Sequence, residues 1–109
     1  MDFDALVVAV GAEEIHPDIP GIEGKNVKWG WDVYQSLEGI GHNVVVVGGG
    51  MCGCELGLLL NENGHKSTVL GRNKFLAPKE CLSQRMHIKE WMDKNGVIGS
   101  FLGSGDVCE

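Results

Sequence analysis

Four consecutive valines at residues 44–47 are the strongest hydrophobic signal in this chain. A β-branched run without polar interruption is typical of a buried strand in a parallel sheet, so it predicts a strand near residues 43–47. Leucines at helical spacing then predict a helix near residues 51–62. A short run around Thr68 predicts a second strand near residues 67–70. This order of strand, helix and strand is that of a βαβ unit.

The rest of the chain extends the same α/β pattern. Apolar runs predict further strands near residues 4–10 and 97–102, and helical spacing predicts a helix near residues 83–95. Asp32 and Gln35 stand at the spacing of a capping box and predict the start of a short helix. We therefore expect an α/β fold, a Rossmann-like three-layer sandwich with a mainly parallel sheet.

The helix near residues 83–95 carries an imperfect apolar face. Trp91 belongs to this face and is predicted to pack in the core rather than to stack on an adenine. The face consists of Leu82, Met86, Ile88, Trp91 and Met92.

Glycines spaced G-x-G-x-x-G follow the valine strand directly. Gly48 permits a tight turn, Gly50 leaves no side chain between the backbone and a diphosphate, and Gly53 lets helix and strand approach closely. The helix that follows offers unpaired N–H groups and the positive end of its dipole to an anion. Dinucleotide binding is the favoured interpretation, and a turn that only packs a helix on a sheet is the alternative. The candidate cofactor-binding residues of this turn are Gly48, Gly49, Gly50, Met51, Cys52 and Gly53.

Composition narrows the class of partner. The net charge of −6 argues against nucleic acid and anionic membrane, since both require clustered lysine and arginine. No apolar stretch approaches the roughly 20 residues of a membrane helix, and no signal peptide opens the sequence. We therefore expect no nucleic-acid partner, no membrane association and a cytoplasmic protein.

The cysteine spacing indicates neither a disulfide framework nor a metal site. The sequence has four cysteines and no C-x-x-C pair. Cys52 and Cys54 lie in the first turn of the predicted helix. Packing as small residues is the favoured role, and a thiol pKa lowered by the helix dipole is the alternative. No metal ligand and no proton-transfer catalyst is predicted anywhere in the chain.

Taken together, these segments resemble the pyridine-nucleotide-dependent flavoprotein oxidoreductases. The closest likeness is to the C-terminal NAD(P)H-binding region of the family of NADH:flavin oxidoreductase, 2,4-dienoyl-CoA reductase and 2-enoate reductase. It covers about residues 3–97 and rests on five segments: D-A-L-V-V-A-V-G, I-P-G-I-E-G, W-D-V, N-V-V-V-V-G-G-G-M-C-G-C-E and N-G-H-K-S-T-V-L.

The resemblance implies a division of the chain and a role for each part. Residues 1–42 would be the end of an FAD-type domain and a crossover linker, with Ala9 and Gly11 at the strand end that closes that domain. Residues 43–109 would be the N-terminal part of an NAD(P)H-binding Rossmann domain. The implied function is to position the nicotinamide of NADPH or NADH for hydride transfer to a flavin bound elsewhere.

The same resemblance implies that this chain is one part of a longer enzyme. FAD is then expected only in the full-length parent, the missing flavin domain is the expected partner, and the isolated segment is expected to be inactive. A nucleotide-binding or scaffold module without catalytic activity is the alternative function.

Two positions depart from the family pattern in a way that concerns cofactor choice. Gly71 stands where NADH-using relatives carry an acidic residue, and Arg72 follows it. Loss of the carboxylate removes repulsion of a 2′-phosphate, and a guanidinium can bind that phosphate, so NADPH is predicted over NADH. The alternative is a decayed site in which Arg72 only faces solvent. Residues 99–109 match no part of the pattern.

Part of the parallel sheet is expected to come from outside this chain. The resulting exposed sheet edge predicts a homo-oligomer, because an unpaired edge strand is a template for another copy.

Overall fold

The computed structural model describes residues 2–101, which alternate between helices and parallel strands. The predicted elements near residues 43–47, 51–62 and 67–70 are confirmed to within one residue. Among the described residues no helix is both long and apolar enough to cross a membrane. The elements are α1 (Gly30–Gln35), β1 (Asn43–Val47), α2 (Met51–Glu62), β2 (Lys66–Gly71), α3 (Leu82–Asn95) and β3 (Ile98–Phe101).

The three strands form one parallel sheet in the order β1-β2-β3. Val45 pairs with Thr68, and Thr68 pairs with Ile98 on its other side. Because all strands run the same way, their carboxyl ends meet at one edge of the sheet, where ligands of such folds bind. The predicted α/β class with a parallel sheet is confirmed.

One face of the sheet packs against α2, and α3 packs against α2. Val46 and Val69 point into this core, where they meet Leu60 of α2 and Met92 of α3. Helix α2 comes so close to the sheet that a Cβ atom at Gly57 would lie 2.8 Å from Val69 Cγ2. The core therefore lies between this face and the helix pair.

Among the described residues, no helix covers the opposite face of the sheet. Val45 and Val47 of β1 are 59% and 66% exposed. Within residues 2–101 the fold thus has a sheet layer and a helix layer, and the third layer of the expected sandwich does not occur there.

The predicted strand at residues 4–10 is wrong. This segment pairs with no strand of the described residues, and Leu6, Val8 and Val10 are 71–90% exposed. A strand is held by hydrogen bonds to a neighbouring strand, and β1, β2 and β3 do not supply one to this segment. Apolar composition alone therefore did not produce a strand.

Helix α1 is correctly predicted as a short helix, but its start is different. It begins at Gly30 with Trp29 at the N-cap position, so Asp32 lies within the first turn and makes no cap. The Glu14 carboxylate accepts a hydrogen bond from the Trp31 backbone N–H at 2.9 Å. Glu14, which is distant in sequence, thus binds a backbone N–H at the start of α1, where the capping-box pattern predicted a cap from Asp32.

Helix α3 has a narrower buried face than its sequence predicts. Ile88 and Met92, one turn apart, are buried, whereas Leu82 and Met86 are exposed. Trp91 is 48% exposed, so its predicted place in the core is wrong. The reason is that α3 contacts the rest of the fold through α2, along one stripe of side chains.

Candidate functional site

The turn between β1 and α2 requires glycine at Gly48 and at Gly53. Gly48 has φ of 133°, a conformation that side chains disfavour, and its N–H donates to the Leu70 carbonyl at 2.9 Å. A Cβ at Gly53 would lie 1.7 Å from the Gly48 carbonyl oxygen. The backbone of the turn therefore folds back onto the first turn of α2.

Gly50 occupies a different environment. It is the N-cap residue of α2, no side chain caps the helix there, and a Cβ at this position would meet nothing within 4 Å. The first N–H groups of a helix have no partner within the helix and carry its positive dipole end. The open space at Gly50 therefore faces backbone groups suited to an anion such as a diphosphate. Met51 and Cys52 are the first two residues of α2.

The end of β2 lies directly beside this turn. A Cβ at Gly49 would be 2.8 Å from the Gly71 Cα atom. Gly71 is buried and ends the strand, and Arg72, which follows it, is exposed. The structure therefore brings the glycine turn and the predicted cofactor-selecting pair to the same edge of the sheet.

Two site residues that sequence reasoning missed come from the loop after β2. The Ala77 N–H donates to the Gly49 carbonyl at 2.6 Å, and a Cβ at Gly49 would lie 2.9 Å from Leu76 Cδ2. Ala77 is buried although it lies in a loop. The available signal was the apolar run from Phe75 to Ala77 within an otherwise polar segment.

Helix α1 also reaches the site, through a contact that the sequence did not reveal. The Tyr34 hydroxyl donates to the Cys52 carbonyl at 3.2 Å. Partial burial, followed by the nearby Glu55 carboxylate, raises the pKa of Tyr34, so this phenol is protonated at neutral pH. Helix α1 is thus attached to the first turn of α2.

The thiols near the site differ in environment. Cys54 is fully buried, as expected for a packing residue, and burial raises its pKa to about 11. Cys52 is exposed, so it does not have the packing role predicted for it. Within residues 2–101, no group of three or more His, Cys, Asp or Glu side chains is arranged to hold a metal ion.

Ala9 and Gly11 lie in the unpaired segment before α1. Both are exposed, and a Cβ at Gly11 would meet nothing within 4 Å. The structure does not join them to the glycine turn among the described residues.

Comparison with known proteins identifies the family of this chain. Residues 1–100 match the family model of the pyridine nucleotide-disulphide oxidoreductases. A metal reductase of Desulforamulus reducens is 45% identical over 62 residues, which cover 57% of this chain and 9% of that protein. The chain thus spans about a tenth of the length of this relative.

Solved structures with the same fold include two oxidoreductases. A 2-naphthoyl-CoA reductase in complex with 2-naphthoyl-CoA aligns with a TM-score of 0.80 at 24% identity, over 85% of this chain and 14% of that one. An engineered water-forming NADPH oxidase bound to NADPH aligns with a TM-score of 0.66 at 21% identity, over 84% of this chain and 22% of that one. These likenesses concern the Rossmann-like fold. The family match over residues 1–100, with the glycine turn at the carboxyl edge of a parallel sheet, shows that this chain belongs to the pyridine nucleotide-disulphide oxidoreductase family.

Proposed function

We propose that this chain is the NAD(P)H-binding segment of a flavin-dependent oxidoreductase of the enoate and dienoyl-CoA reductase type. It positions the nicotinamide for hydride transfer to a flavin bound by another domain. The observation that carries the proposal is the uncapped start of α2 at Gly50, which opens into free space at the edge where the strands end.

The residues at this edge fit a dinucleotide. The diphosphate would be held by the backbone N–H groups at the start of α2, and the helix dipole favours its negative charge. Gly50 keeps that approach free of side chains. When bound, the nicotinamide supplies the hydride, and the protein contributes position and electrostatics.

We further propose NADPH as the preferred nucleotide. A carboxylate at the end of β2 would accept the ribose hydroxyls of NADH and repel a 2′-phosphate, and Gly71 carries none. The exposed Arg72 guanidinium beside it can donate charge-assisted hydrogen bonds to that phosphate.

The segment before α1 fits the other half of the proposal. We assign residues 1–42 to the end of an FAD-type domain and the crossover, and residues 43–109 to the NAD(P)H-binding domain. Residues 4–10 are apolar and exposed and pair with no described strand, so their side chains are available for contact with a flavin domain. FAD and that domain are then the further cofactor and partner of the whole enzyme.

Nucleotide titration tests the proposal. We expect Gly50→Val to weaken NADPH and NADH binding alike, by about tenfold to a hundredfold, because the side chain would block charged hydrogen bonds worth about 1.5–3 kcal/mol. Arg72→Ala should weaken NADPH alone by a similar factor. Dissociation constants from calorimetry give both values.

Gly41→Val is the matched control for Gly50→Val. Gly41 is exposed, and a Cβ there also meets nothing within 4 Å, but it lies before β1 and away from the turn. The control should bind like wild type. If Gly50→Val also binds both nucleotides like wild type, the turn is not the diphosphate site.

A further inference from the structure

In the loop between β2 and α3, Leu76 and Ala77 contact the glycine turn. We call these two residues the latch. Its first contact is the hydrogen bond from the Ala77 N–H to the Gly49 carbonyl, at 2.6 Å. Its second contact is the Leu76 side chain, which packs against Gly49 on one side and Gly99 of β3 on the other.

The conformation of the latch shows that these contacts hold it firmly. Ala77 has φ of 47° and is, among the described residues, the only one other than glycine with positive φ. Such a conformation costs about 1–3 kcal/mol and persists only where surrounding contacts over-determine it. Ala77 is 1% exposed, which is unusual for a loop residue. The segment is therefore packed against the glycine turn and β3.

The latch connects the glycine turn with the loop segment that carries Arg72. On one side it holds Gly49, the neighbour of the helix start at Gly50. On the other side it closes the segment that starts at Arg72, only four residues before Leu76. The distance between the diphosphate-binding backbone and the Arg72 guanidinium thus depends on how firmly this segment is held.

We propose that Leu76 and Ala77 are positioning residues for nucleotide selection. By fixing the Arg72 segment against the glycine turn, the latch lets a ligand with both a diphosphate and a 2′-phosphate bind both elements at once. This inference rests on the proposed function. The physical reason is preorganisation: a loop already held in its binding geometry loses less conformational entropy on binding.

The test is the ratio of the dissociation constants of NADH and NADPH. Leu76→Ala should loosen the latch and weaken NADPH binding more than NADH binding. The ratio should then fall by at least about threefold. A general loss of folded structure would weaken the binding of both nucleotides equally and leave the ratio unchanged. Leu76→Met, which restores most of the side-chain volume, should restore the ratio.

Leu59→Ala is the matched control. Leu59 and Leu76 are both partly buried and packed against the core, but Leu59 lies in the second half of α2, away from the turn. Thermal unfolding of both alanine variants verifies that they fold. Leu59→Ala should keep the wild-type ratio.

A double variant isolates the route of the effect. In the background of Arg72→Ala, Leu76→Ala should change the ratio no further, because the group that it positions is already absent. An unchanged ratio in Leu76→Ala, or an equal drop with and without Arg72, would overturn the inference while leaving nucleotide binding intact. A wild-type chain that binds neither nucleotide would instead overturn the proposed function, and the inference with it.

Discussion

At the scale of single residues, Gly50 and Gly53 of the same motif differ in the reason for which glycine is needed. Gly53 is required by the protein itself, since a Cβ would collide with the Gly48 carbonyl at 1.7 Å. Gly50 has open space around it and is required by no contact within the described structure. Substitution at Gly53 therefore acts on the fold, and substitution at Gly50 acts on what the turn binds.

Single-residue environment also predicts thiol reactivity. The hydroxyl of Ser83 hydrogen-bonds the exposed Cys81 thiol and lowers its pKa, whereas burial raises that of Cys54 to about 11. Because the thiolate is the reactive form, iodoacetamide at pH 8 should modify Cys81 well before Cys54, as measured by peptide mass spectrometry.

Ser83→Ala is the control variant for this order. It removes the hydroxyl that favours the thiolate, so the pH profile of Cys81 alkylation should move to higher pH. In denaturant, where burial is lost, the rates of Cys81 and Cys54 should converge. Equal rates for the two thiols in the folded chain would contradict the assigned environments.

At the scale of elements, one side chain joins α2 to both of its neighbours. The Asn61 Oδ1 atom accepts from the Ser67 backbone N–H at 3.1 Å, in β2, and its Nδ2 donates to the Asn95 carbonyl at the end of α3. The Ser67 hydroxyl is fully buried and donates to the Gly57 carbonyl at 2.7 Å. This polar network fixes the register of helix against strand within an otherwise apolar core.

Removing this junction should cost stability. Asn61→Ala leaves the Ser67 N–H and the Asn95 carbonyl without their partner, so we expect the free energy of unfolding to fall by about 2–3 kcal/mol. Denaturant titration measures it.

Asn63→Ala is the matched control for Asn61→Ala. The Asn63 side chain is exposed and bonds only the Leu59 carbonyl one turn back, so its loss should cost less than about 0.5 kcal/mol. Equal losses for the two variants would show that Asn61 does not join the elements.

At the scale of the whole molecule, an open sheet edge coincides with a bare sheet face. Strand β1 is an edge strand among the described residues and carries no charge, proline or bulge that would discourage pairing. Its outward Val45 and Val47 extend the apolar surface of that edge. A second copy is therefore a suitable neighbour for β1, as the sequence predicts.

We expect the wild-type chain to self-associate with increasing concentration and Val45→Lys to shift it toward monomer. A lysine at the centre of an edge strand opposes pairing by its charge. Sedimentation velocity over a range of concentrations measures the change.

Val27→Lys is the control for Val45→Lys, since it adds the same charge at an exposed valine in the loop before α1. It should associate like wild type. A monomeric wild-type chain at every concentration would contradict the prediction.

The sequence by itself determined the elements whose signals are local. The valine run and the glycine spacing specified β1, the turn and α2, because strand propensity, positive φ and helical periodicity act over a few residues. The family resemblance likewise rested on such contiguous segments, and it is confirmed at the level of the pyridine nucleotide-disulphide oxidoreductases.

The tertiary structure alone decided what depends on partners distant in sequence. Residues 4–10 have strand composition but no neighbouring strand among the described residues, and Trp91 has helical spacing but lies beside the stripe that contacts α2. The latch at Leu76 and Ala77 carries no motif, because its role comes from contact with Gly49, far back along the chain. Side-chain burial and strand pairing each require two surfaces in contact. A local sequence pattern describes only one of these surfaces.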